Sequence, residues 1–247
     1  MYQTAMYQTA PVSAGPHNET APDPGRWAAL AVVIAAQFVY VVDAFIVNVG
    51  IPSIRADLST TVAEIQGVIV VYQIAFATLV IAGGRVGDIF GSKRVLLIGL
   101  AAFTLASMWC GLARSGTELV LARAAQGAAA ALMVPQVLAT ILTLFKGAER
   151  GRAFGIFGAT LGLGGAIGFA LGGFLIAINL LGLGWRAVFF VNLPIGALLI
   201  LAAMRLIPST IQRRDVHLDL ASTAILFVAL LCILGPLLLG PDLHWPQ

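Results

Sequence analysis

The sequence predicts an all-α integral membrane protein, and three observations support that fold class. Of the 247 residues, 60% are hydrophobic and only 10% are charged, and the mean hydropathy is +0.97. Soluble proteins carry about 25% charged residues, so this composition excludes an ordinary soluble domain. The apolar residues also form seven runs, each close to or above the roughly 20 residues that a helix needs to cross a bilayer.

Each predicted element follows from one of these runs. Residues 1–24 are polar and contain several prolines, which predicts a disordered cytoplasmic tail. The tail is not a signal peptide, because the apolar run after it is too long for one. Residues 25–206 are expected to form a six-helix bundle, and residues 207–247 a cytoplasmic linker and one additional transmembrane helix. The predicted spans are 27–50, 65–83, 95–113, 119–144, 153–180, 187–204 and 218–240.

Basic residues are distributed unevenly between the two predicted sides of the membrane. If the N-terminus is cytoplasmic, ten lysines and arginines lie inside and only Arg55, Arg114 and Arg186 lie outside. Short cytoplasmic loops carry an excess of lysine and arginine, so this count predicts a cytoplasmic N-terminus. The net charge of +3 is then explained by topology, and no nucleic-acid partner is expected.

The sequence lacks the patterns of several other functions. It has no nucleotide-binding loop, no nucleophile motif and no metal-ligand spacing, so neither an enzymatic activity nor a cofactor is expected. Cys110 and Cys232 both lie in apolar runs, where they are expected to pack and not to form a disulfide.

A charged segment, GRVGDIFGSKRVLL at residues 84–97, separates the second and third spans. Its glycines permit a tight turn between two helices. The basic pair holds that turn inside, and the acid before it suggests an ion-pair latch with Arg85, Arg94 or the bases at 146–152. The spacing resembles the loop between the second and third helices of the major facilitator superfamily, although a cytoplasmic loop of any polytopic protein is the alternative. The residues that carry the match are Gly84, Asp88, Gly91, Lys93 and Arg94.

The fourth span begins with an L-x-x-x-R-x-x-Q-G pattern that contains Arg123 and Gln126. This pattern resembles the fourth-helix motif of proton-driven antiporters in the same superfamily. A charge at membrane depth is tolerated where it faces a cavity or a partner. The alternative for Arg123 is that it snorkels to the outer interface.

The fifth span carries glycines in the register of a second antiporter motif, which the sequence resembles at every glycine. Glycines four residues apart line one helix face and allow a neighbouring helix to approach closely. Phe169 stands where the motif has proline, which removes the expected cause of a kink. Small-residue packing alone is the alternative. The motif glycines are Gly155, Gly164, Gly168, Gly172 and Gly173.

The first span, VYVVDAFIVNVGIPSI, is similar to the signature of the fourteen-helix drug:proton antiporter family, with Phe45 in place of a threonine. The segment WRAVFFVNLPIG resembles the start of that family's sixth helix. The resemblance implies the N-terminal half of such a transporter, namely the six-helix major facilitator bundle plus one further helix. It also implies that the chain needs a missing C-terminal half or a second chain.

A polar half-face on the first span is expected to line a substrate cavity with Gln126. Gln37, Tyr40, Asp43 and Asn48 fall on an arc of about 140°. Asp43 lies roughly 10 Å deep, at a depth similar to that of Arg123, so the two can pair. The pair is predicted to couple protons to transport; alternatively it pins the first helix to the fourth, and the amides merely bond between helices.

The resemblance thus implies efflux of hydrophobic or cationic drug-like molecules in exchange for protons, across a bacterial plasma membrane. The expected partners are a small-molecule substrate, protons and the lipid bilayer. The competing hypothesis is a non-transporting half-bundle, either an inactive relic or a membrane partner of another protein.

Overall fold

The computed structural model describes residues 24–209, together with Ile225, Val228, Ala229 and Cys232. The predicted seventh span and almost all of the predicted tail and linker lie outside these residues. The described chain is helical throughout, and its six long helical segments are apolar enough to cross a membrane. The elements are α1 (Arg26–Leu58), α2 (Val62–Phe90), α3 (Ser92–Leu112), α4 (Gly116–Leu144), α5 (Gly147–Ile178), α6 (Ala187–Phe190) and α7 (Asn192–Leu206).

The sixth span is formed by α6 and α7, which follow two short 3-10 turns at Leu180–Gly182 and Gly184–Arg186. Val191 divides this span, although its φ of −59° and ψ of −29° are helical and its N–H donates to the Ala187 carbonyl oxygen at 3.0 Å. The interruption is therefore a missing hydrogen bond and not a break in the helix. Pro194 lies three residues further on and has no amide hydrogen to donate to the carbonyl of Phe190. The interruption therefore follows from the local sequence.

The second helix extends beyond its predicted end. The charged segment was expected to be a loop from Gly84 onward, but α2 continues to Phe90 and only Gly91 separates it from α3. Gly91 has a φ of 91°, a conformation that favours glycine, and it ends one helix and begins the next. The prediction was wrong because the end of the apolar run marks where the hydrophobic environment ends, whereas a helix can continue past it.

The helices pack most extensively in four pairs, which are α2 with α4, α3 with α4, α1 with α5, and α3 with α7. Close approach of α2 and α4 depends on glycine. A Cβ added at Gly83 would overlap the Ala131 carbonyl oxygen, and one added at Gly127 would overlap the Tyr72 carbonyl oxygen. The helix backbones thus meet directly, as is common in membrane proteins.

Two apolar clusters fill the interior. One contains Val33, Phe103 and Met133, and the other contains Ile46 and Leu119. Along α1, α3 and α4 the first cluster ends and the second begins near the middle of each helix. Polar residues occupy this boundary, which positions the candidate site.

The two ends of the bundle are tied by separate contacts. At one end Arg26 pairs with Glu149 at 2.8 Å, linking the start of α1 to the start of α5. At the other end Arg186 pairs with Asp57 and donates to the Ala113 carbonyl at 3.1 Å. The loops that meet at each end are those that the predicted topology places on one side of the membrane. Which side each end faces stays a prediction.

Candidate functional site

A buried polar network crosses the middle of the bundle. Arg123 Nη1 on α4 donates to Asp43 Oδ2 on α1 at 2.7 Å and to Gln126 Oε1 at 2.8 Å. Gln126 Nε2 in turn donates to Asp43 Oδ1 at 2.8 Å. All three side chains are buried, and Asp43 is 0% exposed. The central network, as we call it, consists of these residues together with Asn192 and Ser107.

The environment of Arg123 excludes snorkelling, because the residue is only 1% exposed. Its Nε donates to the Val68 carbonyl oxygen at 3.2 Å, and its Cζ lies 3.9 Å from the centre of the Tyr72 ring. A buried charge is costly unless it is paired and hydrogen-bonded. Here the carboxylate, a carbonyl, an amide and an aromatic face surround the guanidinium.

The network also includes two residues that the sequence analysis missed. Asn192 Nδ2, at the start of α7, donates to Asp43 Oδ1 at 2.8 Å and to Ser107 Oγ on α3 at 3.0 Å. The Ser107 hydroxyl donates to the Phe189 carbonyl oxygen in α6 at 3.0 Å. An amide in the middle of an apolar run was the available signal for Asn192, since such a group needs partners when buried.

The remaining residues of the predicted cavity do not join this network. Gln37 is buried, and its Oε1 has no hydrogen-bond partner among the described residues. The Tyr40 ring packs against Tyr72 and Phe76, with centroids 6.2 and 4.8 Å apart. Asn48 Nδ2 donates to carbonyls of its own helix, the nearer being Phe45 O at 3.0 Å. Gln126 thus bonds to Asp43, whereas the other three residues make no hydrogen bond to it.

A groove of about 530 Å³ lies elsewhere, between α1 and α5. It is lined by Trp27, Phe38, Ile156 and other apolar side chains, and its polar lining residue is Thr160. The Thr160 hydroxyl donates to the Ile156 carbonyl of its own helix at 2.8 Å. None of the residues predicted to contact substrate lines this groove.

The predicted ion-pair latch at Asp88 is absent from the described part of the chain. Asp88 is exposed, and the three ion pairs of the described residues do not include it. Nearby, Lys93 Nζ donates to the Met204 carbonyl oxygen at 2.8 Å. The helix ends here are held by that bond and by Gln136, whose Nε2 donates to the Gly83 carbonyl at 2.9 Å. The other motif residues, Gly84 and Arg94, lie in α2 and α3.

The glycine motif of α5 divides into two parts. A Cβ added at Gly164, Gly168 or Gly172 would lie 2.8 to 2.9 Å from atoms of α1, so these three positions set the close α1–α5 packing. At Gly173 the nearest atom is 3.9 Å away, and at Gly155 nothing lies within 4 Å. Only the middle of the motif therefore brings two helices together.

Two of the departures from the family motifs contact each other. Phe169 stands in the place of the α5 proline, and Phe45 in the place of the α1 threonine. Their ring centroids are 5.6 Å apart. α5 runs without interruption from Gly147 to Ile178. The aromatic contact thus belongs to the same α1–α5 interface as the glycines.

Comparison with known proteins settles the family. A sequence profile described as Major Facilitator Superfamily matches residues 33–239. The chain belongs to the Major Facilitator Superfamily. With six apolar helices in the described residues alone, it is a multi-pass membrane protein of a transporter family, and not an enzyme.

Several curated proteins share substantial identity with this superfamily member. A probable actinorhodin transporter of Streptomyces coelicolor is 40% identical, and the match covers 96% of this chain and 43% of that protein. A puromycin resistance protein of Streptomyces alboniger is 43% identical over 88% of this chain and 43% of its own length. The multidrug resistance protein Stp of Mycobacterium tuberculosis is 34% identical over 84% and 38%, respectively.

Solved structures confirm the fold. A bacterial homologue of the human lysosomal transporter Spinster, in an inward-facing and occupied conformation, aligns with a TM-score of 0.64 and 20% identity. The alignment covers 78% of this chain and 47% of that one. The chain spans about two fifths of the length of the curated relatives named above and nearly half of this structure.

Proposed function

We propose that this chain forms about half of a proton-coupled exporter of hydrophobic or cationic drug-like molecules in a bacterial plasma membrane. The names of the relatives support export of antibiotics and other drugs. In transporters of this architecture the substrate site lies near the midplane, between two repeats that rock against each other. The second half is the partner that this chain needs in order to enclose such a site.

The observation that carries the proton coupling is the burial of one acid against one base. Asp43 and Arg123 are the only charged side chains that are buried among the described residues. Burial favours the neutral form of a carboxylic acid, whereas a neighbouring cation favours the ionised form. A change in the Asp43–Arg123 distance between two transport states would therefore load and release a proton.

Substrate exchange follows from the same charge. A cationic drug that enters the cavity would compete with the proton for the negative charge of Asp43. Asp43 is thus proposed as the proton carrier, and Arg123 as the group that tunes it. Gln126 holds the second carboxylate oxygen through the 2.8 Å bond from its Nε2.

The experiment is uphill export by the complete transporter, reconstituted in liposomes with an imposed pH gradient. Asp43→Asn should abolish export of a cationic dye while the protein still inserts. Asp57→Asn removes an exposed acid of the same helix, which pairs with Arg186 at the end of the bundle and lies outside the central network, and it should retain export. Liposomes that contain only the 247-residue chain should show no proton-coupled efflux. Uphill export by Asp43→Asn would show that another residue carries the proton.

A further inference from the structure

We propose that Asn192 is a positioning residue that transmits the protonation state of Asp43 to the interrupted sixth span. The inference deepens the proposed function, since it assumes that Asp43 takes up a proton. It is carried by the direction of each hydrogen bond in the central network. Asn192 is 3% exposed and lies next to the interruption at Val191.

The donors around Asp43 describe its ionised form. An ionised carboxylate only accepts hydrogen bonds. Three N–H groups point at it, from Arg123, Gln126 and Asn192. The Asn192 amide uses both of its hydrogens, one toward Asp43 Oδ1 and one toward Ser107 Oγ. The Ser107 hydroxyl donates its own hydrogen bond to the Phe189 carbonyl oxygen. While Asp43 is ionised, Asn192 is therefore the hydrogen-bond donor to both of its neighbours, Asp43 and Ser107.

When Asp43 is protonated, donor and acceptor exchange places in its hydrogen bond with Asn192. A proton taken from water forms one new O–H bond on the carboxyl group, which then needs an acceptor. Gln126 is poorly placed to supply one, because its Oε1 already accepts from Arg123 at 2.8 Å and from Cys110 Sγ at 3.4 Å. Turning the Gln126 amide would aim N–H groups at a cation. Asn192 has no such obstacle, and a half-turn of its amide places Oδ1 toward Asp43.

The half-turn of the Asn192 amide also changes the hydrogen bond that Asn192 makes with Ser107. Asn192 Oδ1 would then also face Ser107, whose hydroxyl must turn toward it and away from the Phe189 carbonyl oxygen. No covalent bond of Asn192 or Ser107 changes. Phe189 is 0% exposed, and its carbonyl would lose one of two donors, keeping the Val191 N–H. Loss of the Ser107 hydrogen bond removes one stabilising contact of this backbone, and the turn beside Val191 should open more often.

Among the other charged or titratable groups near Asp43, Arg123 also approaches the sixth span, with its Cζ 6.0 Å from the centre of the Phe189 ring. Its hydrogen bonds go to Asp43, Gln126 and Val68, and not to Asn192 or Ser107. The groups that surround Asp43 are Arg123 on α4, Tyr40 on α1, Tyr72 on α2 and Cys110 on α3. α6 carries none, and the charged residue of α7 is Arg205 in its last turn. The charged residues of α5 are Glu149, Arg150 and Arg152, all in its first two turns.

The test uses the 247-residue chain in lipid nanodiscs and needs no transport. Infrared difference spectra report protonation of Asp43, with Asp43→Asn identifying its band. Backbone hydrogen exchange of residues 187–196, corrected for the intrinsic effect of pH, reports the sixth span. Exchange should rise on the order of fivefold when Asp43 becomes neutral, as expected for one hydrogen bond.

Two variants interrupt the chain of hydrogen bonds from Asp43 to the Phe189 carbonyl, one at Asn192 and one at Ser107. Asn192→Leu and Ser107→Ala should each abolish the response of residues 187–196, and in Ser107→Ala the Asp43 band should still titrate. Ser107→Ala is the smaller change, and it decides the matter if Asn192→Leu does not fold. Thr140→Ala is the matched control, because it removes a buried hydroxyl that donates to its own helix at 2.7 Å. This control should respond as the unmodified chain does.

Two results would overturn the proposal: exchange that stays constant when Asp43 is neutralised, or a full response in Ser107→Ala. Failure of the proposed function would give a different experimental result. If the complete transporter exports uphill with Asp43→Asn while the exchange response is present in nanodiscs, Asp43 is not the carrier and the link through Asn192 still stands.

Discussion

At the residue scale, the burial of Arg123 depends on the groups that surround its charge. The Asp43 carboxylate lies 2.7 Å from the guanidinium, and the Tyr72 ring covers one of its faces. Removing one partner of a buried ion pair leaves an uncompensated charge and is strongly destabilising. Tyr72 offers a milder probe, because its ring and its hydroxyl are separable.

We expect opposite behaviour from two substitutions of Tyr72. Its hydroxyl has no hydrogen-bond partner among the described residues, so Tyr72→Phe should leave the free energy of unfolding unchanged or raise it by about 1 kcal/mol. Tyr72→Leu removes the ring that faces Arg123 and should lower the same quantity by about 2 kcal/mol or more. Titration with denaturing detergent measures both, and equal losses would contradict the assigned role of the ring.

At the element scale, the α1–α5 interface shows how equivalent-looking glycines differ. A Cβ at Gly168 would lie 2.9 Å from the Val42 carbonyl oxygen, whereas Gly155 has nothing within 4 Å. Both belong to the same sequence motif and the same helix. They therefore form a matched pair for testing which part of the motif packs.

Alanine substitutions at the two positions should change stability in opposite directions. Gly168→Ala should lower the free energy of unfolding by about 1–3 kcal/mol, because the added methyl group overpacks the interface. Gly155→Ala should be neutral or stabilising by up to about 1 kcal/mol, since alanine favours the helix. Thermal unfolding of the detergent-solubilised chain compares them. A stable Gly168→Ala would show that α1 and α5 are not held this closely.

The helix junction at Gly91 leads to a prediction for Asp88. Because Asp88 is exposed and outside the ion pairs of the described residues, Asp88→Asn should leave the stability of the isolated chain unchanged. In the complete transporter, where we propose that the second half approaches this end, the same change should impair export without preventing insertion. Normal export would reject a role for Asp88 between the halves.

At the scale of the whole molecule, the contacts at each end define which loops share a side. The Arg26–Glu149 pair places the start of α1 beside the α4–α5 junction. The Asp57–Arg186 pair places the end of α1 beside the entry to the sixth span. With a cytoplasmic N-terminus, Glu149 is inside and Asp57 is outside.

Accessibility labelling of single cysteines tests that topology. After replacement of Cys110 and Cys232, an impermeant maleimide should label a cysteine at position 57 in intact cells. A cysteine at position 149 should be labelled only after the cells are opened. Labelling of position 149 from outside would reverse the assignment of every loop.

The sequence by itself determined the number and order of the first six spans, the family, and the common depth of Asp43 and Arg123. These follow from quantities that are local to the chain. A bilayer sets the length of each apolar run, motif spacing lies within single helices, and the constant rise of a helix fixes the depth of a residue. A residue's depth does not specify which helix it faces.

The tertiary structure alone decided the partners. Asn192 reaches both Asp43 and Ser107 because α7 packs on α1 and α3, and no local periodicity encodes that arrangement. Gln37, Tyr40 and Asn48 share an arc of α1 with Asp43, yet among the described residues none of them hydrogen-bonds to the carboxylate. The depth of Asp43 and Arg123 can be read from their positions along the sequence. The hydrogen bonds that connect them to the sixth span require α1, α3 and α7 to pack together.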